Sequence, residues 1–296
     1  MPTPIAHRAF YLLGPTAVGK TELAVQLAER VGGEIIGADA YQIYHGLDLL
    51  SAKPSPSQLA RVPHHLIGAI PLTETFDVAK YRTLAEARIA DITERGRVAI
   101  VCGGNGLYLR ALTHGLSDAP PADAALRAEL EKEPLPVLVE RLLALDPASA
   151  VDCKNPRRVL RALEVCLLSG RPFSSYRNEW ESTPSLRGVI LTREREDLAA
   201  RIATRTEAMF TEGVLAEVAA IGELSPTAAQ MLGLREIRAH LAGEITRPAC
   251  IAAIALATRQ YAKRQMTWFR REPAYQRLAL TPAHEPLEQL VWMVGC

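Results

Sequence analysis

Eight consecutive residues, Gly14-Pro15-Thr16-Ala17-Val18-Gly19-Lys20-Thr21, have the spacing G-x-x-x-x-G-K-T of a phosphate-binding loop. An apolar run, Ala9 to Leu13, precedes them and an amphipathic one, Glu22 to Val31, follows, so the loop joins a strand to a helix. In that setting successive backbone N–H groups and the positive end of the helix make an anion site. Lys20 would add a point charge for phosphate oxygens, and the Thr21 hydroxyl suits the shell of a Mg²⁺ ion. The plainer reading, a tight turn that happens to carry a lysine, leaves the full spacing unexplained. The pattern predicts binding of a di- or triphosphate and says nothing of what the phosphates are attached to.

Two further stretches place polar groups at strand ends. Glu34 to Asp39 reads as a short buried strand ending in a carboxylate, and in an open parallel sheet ligands gather at the carboxyl ends of strands. Asp39 is then a Mg²⁺ ligand or a turn cap on one reading, and a proton acceptor beside a bound base on the other. Gln42, three residues on, has an amide able to pair with the edge of adenine. Arg97 to Cys102 is another buried strand running into Gly103-Gly104-Asn105-Gly106, where Asn105 caps the next helix or donates to a phosphate oxygen. Ser51 and Lys53 lie in a loop just past Gln42; Lys53 is a solvated lysine or an extra charge for a phosphate-rich leaving group.

Basic residues collect in two places. Arg157, Arg158 and Arg161 open one helical segment, and Arg259, Lys263, Arg264, Arg270 and Arg271 lie on a long one, interleaved with Tyr261 and Trp268. Either cluster alone reads as a solvated face; two of them beside a phosphate cleft read as a track for a nucleic-acid backbone. His64 and His65 have no cysteine or carboxylate at ligand spacing and are expected to be structural.

These residues need a scaffold, and the remaining pattern describes one. Helical spacing covers Phe76 to Arg95, with Val78, Tyr81, Leu84 and Ala85 on one side, and Leu107 to Thr113. Ser117 to Pro121 marks a boundary, after which only helices are predicted up to about Ser185: Ala124–Lys132, Leu135–Leu145 and Pro156–Leu168. Arg187 to Leu191 returns as a strand, followed by helices over Asp197–Thr211, Val214–Ile221 and Ala249–Arg271. The expectation is an α/β fold, a P-loop-type parallel sheet flanked by helices over 1–117 and 186–296, with a small all-helical insertion over 118–185.

Composition narrows the class. At 296 residues, 48% hydrophobic and 23% charged, the chain can build a large core. A net charge of +1 leaves any polyanion contact to local clusters. Cys102, Cys153, Cys166, Cys250 and Cys296 contain no C-x-x-C pair and read as reduced thiols. The chain opens with no signal-peptide pattern, and Ile251 to Ala257 is too short an apolar run to span a bilayer. A cytoplasmic monomer without membrane contact is expected.

In order along the chain, Gly14 to Thr21, Asp39-Ala40-Tyr41-Gln42-Ile43-Tyr44, Ser51 to Pro54, Pro63 to Leu66, Gly103 to Tyr108, Asn155 to Arg158 with Arg161 to Glu164, and Thr258 to Arg270 resemble the tRNA dimethylallyltransferases. The last segment is the most specific. The resemblance implies transfer of a dimethylallyl group from its diphosphate to N6 of the adenosine just 3′ of the anticodon, with Mg²⁺. It makes Asp39 the general base, with Lys20 and Asn105 beside it in the catalytic set. The loop from Gly14 to Thr21 and Lys53 would hold the diphosphate, and Thr21 the metal. Asp39, Ala40, Tyr41, Gln42, Asn105, Arg127, Arg157, Arg158, Arg161, Gln230, Lys263, Arg264 and Arg270 would contact the anticodon stem-loop. The sequence departs from the family pattern at Ala40, Ser51, Gly68 and Asn105, where Ser, Thr, Asp and Thr are usual. Rival readings are a small-molecule kinase, a prenyl transferase for free adenine nucleotides, and an RNA-binding module that uses its loop only as a switch.

Overall fold

The computed structural model describes residues 5–176, 186–281 and 286–295. They form two compact units, one of residues up to 115 and from 186 onward, the other of residues 116–176. The expected end of the insertion at Ser185, and Cys296, lie outside the described residues.

The larger unit runs β1 (Ala9–Leu13), α1 (Lys20–Val31), β2 (Gly33–Ala38), α2 (Pro56–Leu59), β3 (His64–His65), α3 (Val78–Glu94), β4 (Val98–Gly103) and α4 (Gly106–His114). The smaller unit contributes α5 (Ala124–Leu130), α6 (Leu135–Leu145) and α7 (Pro156–Ser169). The larger then resumes with β5 (Arg187–Thr192), α8 (Arg195–Glu212), α9 (Val214–Ala219), α10 (Leu234–Leu241), α11 (Arg247–Phe269), β6 (Gln276–Ala279) and α12 (Leu287–Gly295). The six strands make one sheet in the order β3-β2-β4-β1-β5-β6, with every pairing parallel.

Alternation along β1 explains why the sheet is buried on both faces. Tyr11 and Leu13 join one core with Ile36, Val101, Ile190 and the helices α3 and α4; Phe10 and Leu12 join the other with Ile35, Ile100, Val189 and α1. On α3 the buried stripe is Tyr81, Ala85, Ile89 and Ile92; Leu84, expected on that side, is exposed because it falls between successive turns of the stripe. The register puts Leu13 beside Gly103 and Gly103 beside Ala38, so the three loops that leave these strands start from one edge of the sheet.

His64 and His65 are the strand β3, and His65 Nε2 lies 2.7 Å from buried Glu34, which also accepts from Arg95 at 2.5 and 3.0 Å. The Arg95 hydrogen bonds hold the Glu34 carboxyl down to about 2. In the smaller unit Leu130, Leu138, Leu142, Val159 and Leu163 form a separate core. Among the described residues no helix is long and apolar enough to cross a membrane.

Candidate functional site

Helices α3, α4, α7 and α11 are each capped by a side chain, from Asp77, Asn105, Asn155 and Thr246. Helix α1 is not: Gly19, at φ 109°, holds its N-cap position and leaves the first-turn amides without a side-chain acceptor. Those amides border a cavity of about 410 Å³ lined by Thr16, Ala17, Gly19, Lys20 and Thr21 of the loop. The loop's carbonyls are turned to cationic side chains instead. Pro15 O accepts from Lys20 Nζ at 2.6 Å, Ala17 O from Arg201 Nε at 2.9 Å and Val18 O from Arg193 Nε at 2.8 Å. Ala17 sits in the left-handed region at φ 64°, a strain that the Arg201 bond helps to hold. Burial lowers the Lys20 ammonium to about 8, against the pull of Cys102 and Asp39.

Thr16, which also lines the cavity, donates its N–H to Gln265 Oε1 at 2.8 Å and accepts from Arg205 at Oγ1 at 3.0 Å.

Asp39 lines the same cavity. Its two oxygens divide the two readings of the residue. Oδ1 accepts the N–H groups of Tyr41 and Gln42 at 2.9 and 3.3 Å, closing the turn after β2. Oδ2 accepts no hydrogen bond from the described residues. Gln42 also lines the cavity, but its amide nitrogen is committed to Ser51 O and Ala52 O at 3.2 and 2.8 Å, so it fixes the next loop and keeps only its carbonyl for a ligand. Lys53 is not solvated: its side chain is buried and bonded to Asp48 and Gly46 O, each at 2.5 Å. Asn105 caps α4 through Oδ1, at 3.1 Å from Leu107 N and 3.3 Å from Tyr108 N.

A second, narrower crevice of about 60 Å³ is lined by Asp39, Tyr41, Arg205, Met209, Met231, Leu232, Ile254 and Tyr261 among others. Its wall mixes the apolar side chains of Met209, Met231, Leu232 and Ile254 with polar ones, Thr206, Thr258 and Tyr261 beside Asp39 and Arg205. Tyr41 reaches Gln230, donating from its hydroxyl to Gln230 O at 2.9 Å. Lys263, Arg264 and Arg270 are exposed on α11, whereas Trp268 packs against Gly106; a Cβ there would come within 2.3 Å of the indole. In the smaller unit Arg127 and Arg161 are anchored, at 2.7 and 2.8 Å, to the buried carboxylate of Glu164, and Arg161 also holds Pro120 O at 2.6 Å. Arg157 and Arg158 are exposed in the first turn of α7.

Sequence reasoning missed Arg201, Arg205 and Gln265. Arg201 and Arg205 are one helical turn apart on α8, which was the available signal. Burial lowers the Arg205 guanidinium below its ordinary range, with Asp39 opposing. For a metal, the described residues hold no group of three His, Cys, Asp or Glu side chains. The Thr21 hydroxyl suits a Mg²⁺ that brings most of its ligands on a phosphate and as water.

A family model described as IPP transferase matches residues 42–272. The chain is 44% identical to the tRNA dimethylallyltransferase of Akkermansia muciniphila, over 93% of its own length and 95% of that relative. It is 45% identical to tRNA dimethylallyltransferase 1 of Citrifermentans bemidjiense, over 90% of each. Among solved structures, the full-length tRNA isopentenylpyrophosphate transferase of Bacillus halodurans superposes with a TM-score of 0.71 at 34% identity, over 98% of this chain and 95% of that one. A eukaryotic dimethylallyltransferase acting on tRNA gives 0.80 at 26% identity, over 94% and 75%.

Proposed function

The chain belongs to the IPP transferase family, and from that premise we propose that it transfers the dimethylallyl group of dimethylallyl diphosphate to N6 of the tRNA adenosine just 3′ of the anticodon, releasing diphosphate. One observation carries the reading: a single cavity is bordered by the uncapped amides of α1, by Lys20, Arg201 and Arg205, and by the uncommitted oxygen of Asp39. A leaving diphosphate and a base for the incoming amine are thus provided for in one space.

The adenine amine is a weak nucleophile, because its lone pair is delocalised into the ring. Its proton becomes acidic only as the new C–N bond forms, and Asp39 Oδ2 accepts it in that transition state. Charge grows meanwhile on the diphosphate, where the α1 amides, Lys20 and the two arginines are already oriented. The Thr21 hydroxyl would help to hold a Mg²⁺ ion, which would supply further charge neutralisation there. In the smaller crevice Met209, Met231 and Ile254 offer apolar contacts for a five-carbon chain. Asn105 acts first by ordering α4. The target base has to leave its stack, which costs a few kcal/mol, offset by backbone contacts at Lys263, Arg264, Arg270, Arg157, Arg158 and the anchored Arg127 and Arg161. The free thiols of Cys102, Cys153, Cys166 and Cys250 are in keeping with a cytoplasmic monomer.

Incubation with Mg²⁺, dimethylallyl diphosphate and either unmodified tRNA or AMP, followed by mass analysis, tests the reading. A five-carbon gain on the tRNA and none on AMP is expected. Prenylated AMP alone, or turnover of ATP with neither, would overturn it.

A further inference from the structure

Gln265 is a polar side chain on an apolar stripe. Ala262, Gln265 and Phe269 follow one another along the buried side of α11, while Lys263, Arg264 and Arg270 are exposed. A buried amide requires partners, and this one finds them on two different loops. Oε1 accepts the Thr16 N–H at 2.8 Å, in the phosphate-binding loop, and Nε2 donates to Gly104 O at 3.0 Å, in the loop that ends in Asn105. A Cβ on Gly104 would stand 2.4 Å from Nε2, so a glycine there is what admits the amide. The same helix reaches the crevice beside Asp39 through Thr258 and Tyr261, and Arg264 lies over the Tyr261 ring, 5.7 Å from its centre.

We propose that Gln265 is a positioning residue that ties the affinity of the diphosphate site to the state of α11, so that RNA held along the basic side of the helix tightens the diphosphate site. The inference rests on the transferase reading above. Helix α11 is a 23-residue rigid element with RNA-facing cations on one side and, on the other, an amide bonded to both glycine loops. Restraining the helix from its basic side restrains Thr16 and Gly104 with it. A diphosphate arriving second then meets loops already ordered, and the coupling is positive. Linkage makes it reciprocal: the diphosphate must tighten RNA by the same factor.

The test measures the Kd of a thiodiphosphate analogue of dimethylallyl diphosphate, which resists transfer, with Mg²⁺ and with or without an unmodified anticodon stem-loop RNA. For the unaltered protein the analogue should bind at least about five-fold more tightly when RNA is present. In Gln265→Met, which keeps the length and loses both hydrogen bonds, that ratio should fall to within about two-fold of one. RNA alone should bind the variant as it binds the unaltered protein. Gln265→Glu has the same size, can still accept from Thr16 and cannot donate to Gly104; it should lose the ratio too, and it serves if the methionine variant does not fold. A merely structural role would weaken binding in both arms and leave the ratio intact. Variants that keep the full ratio, or an unaltered protein with a ratio of one, overturn the inference while the transferase reading stands. An analogue that fails to bind the unaltered protein brings down both.

Discussion

Replacing Asp39 by asparagine separates the two tasks that its oxygens divide. Asparagine keeps a carbonyl oxygen to accept the Tyr41 and Gln42 amides, so the turn after β2 should survive. What disappears is a carboxylate able to take the proton from N6. General-base contributions of this kind are about 10²- to 10⁴-fold, or about 3–5 kcal/mol at about 1.4 kcal/mol per tenfold. Asp39→Ala loses the same rate and also the turn cap, which adds a stability loss of about 1 kcal/mol. The melting temperature should then drop by about 2–4 °C for alanine and stay put for asparagine. Asp39 is also one of the charges that hold up the buried Lys20 ammonium, so either variant alters the electrostatics of the diphosphate site apart from the chemistry. The assay is therefore single-turnover prenyl transfer at saturating dimethylallyl diphosphate, near about pH 7, where Lys20 is charged. An Asp39→Asn enzyme with an unchanged single-turnover rate would remove the carboxylate from the chemistry and leave it a turn cap.

Four other perturbations probe the neighbouring parts. Burial holds the Lys20 ammonium near about 8, so diphosphate affinity should be flat below that pH and fall above it as the charge is lost, which titration calorimetry across the range would show. The same shift has a stability consequence of opposite sense: between about 8 and the ordinary 10.5 the unfolded chain binds the extra proton, so this group's contribution to stability rises with pH there. Arg205→Ala removes a guanidinium from the cavity and its bond to Thr16, and should raise the KM for dimethylallyl diphosphate well above any change in the KM for tRNA. Arg264→Ala should weaken tRNA binding and flatten the slope of log K against log salt by about 0.7–0.9; an unchanged slope would take that side of α11 off the phosphates. Gly106→Ala drives a Cβ to within 2.3 Å of the Trp268 indole, an overpacking of about 1–3 kcal/mol that thermal melting and Trp fluorescence should both register.

The strands that carry chemistry were legible because each combines a buried apolar run with a glycine or carboxylate at its end. That pattern gave β1, β2 and β4, and with them the loops at Gly14, Asp39 and Gly103. Strand β6 escaped notice because its four residues, Gln276 to Ala279, bury only Leu278; it is a strand by virtue of lying against β5. Strand β3 is two histidines, which propensity does not favour, and its partner β2 makes it. Arg201 and Arg205 drew no notice, since nothing local states that α8 passes the phosphate-binding loop. Gln265 was hidden for a different reason. Among Lys263, Arg264 and Arg270 it reads as one more polar residue, and only its phase with Ala262 and Phe269 marks it as buried. Arg127 and Arg161 invert the lesson: the family resemblance, and for Arg161 its basic cluster, suggested RNA, and part of their charge is committed to Glu164.

The charges along the cavity explain what kind of anion it is built for. Lys53 is neutralised by Asp48, and Glu22 by Arg61 and Gln58. Lys20, Arg201 and Arg205 then face Asp39 and the exposed Glu212, a small positive excess in a space that also holds uncapped helix amides. That lining, positive on balance and supplemented by helix amides, suits a phosphate-bearing ligand. Asp39 lies among these cations with one oxygen uncommitted, and among the described residues it is tied into no salt bridge. Hydrogen bonds to Pro15 O and Thr16 Oγ1, and not a pairing with Asp39, hold Lys20 and Arg205, so both cations stay on the phosphate-binding loop while one Asp39 oxygen remains uncommitted.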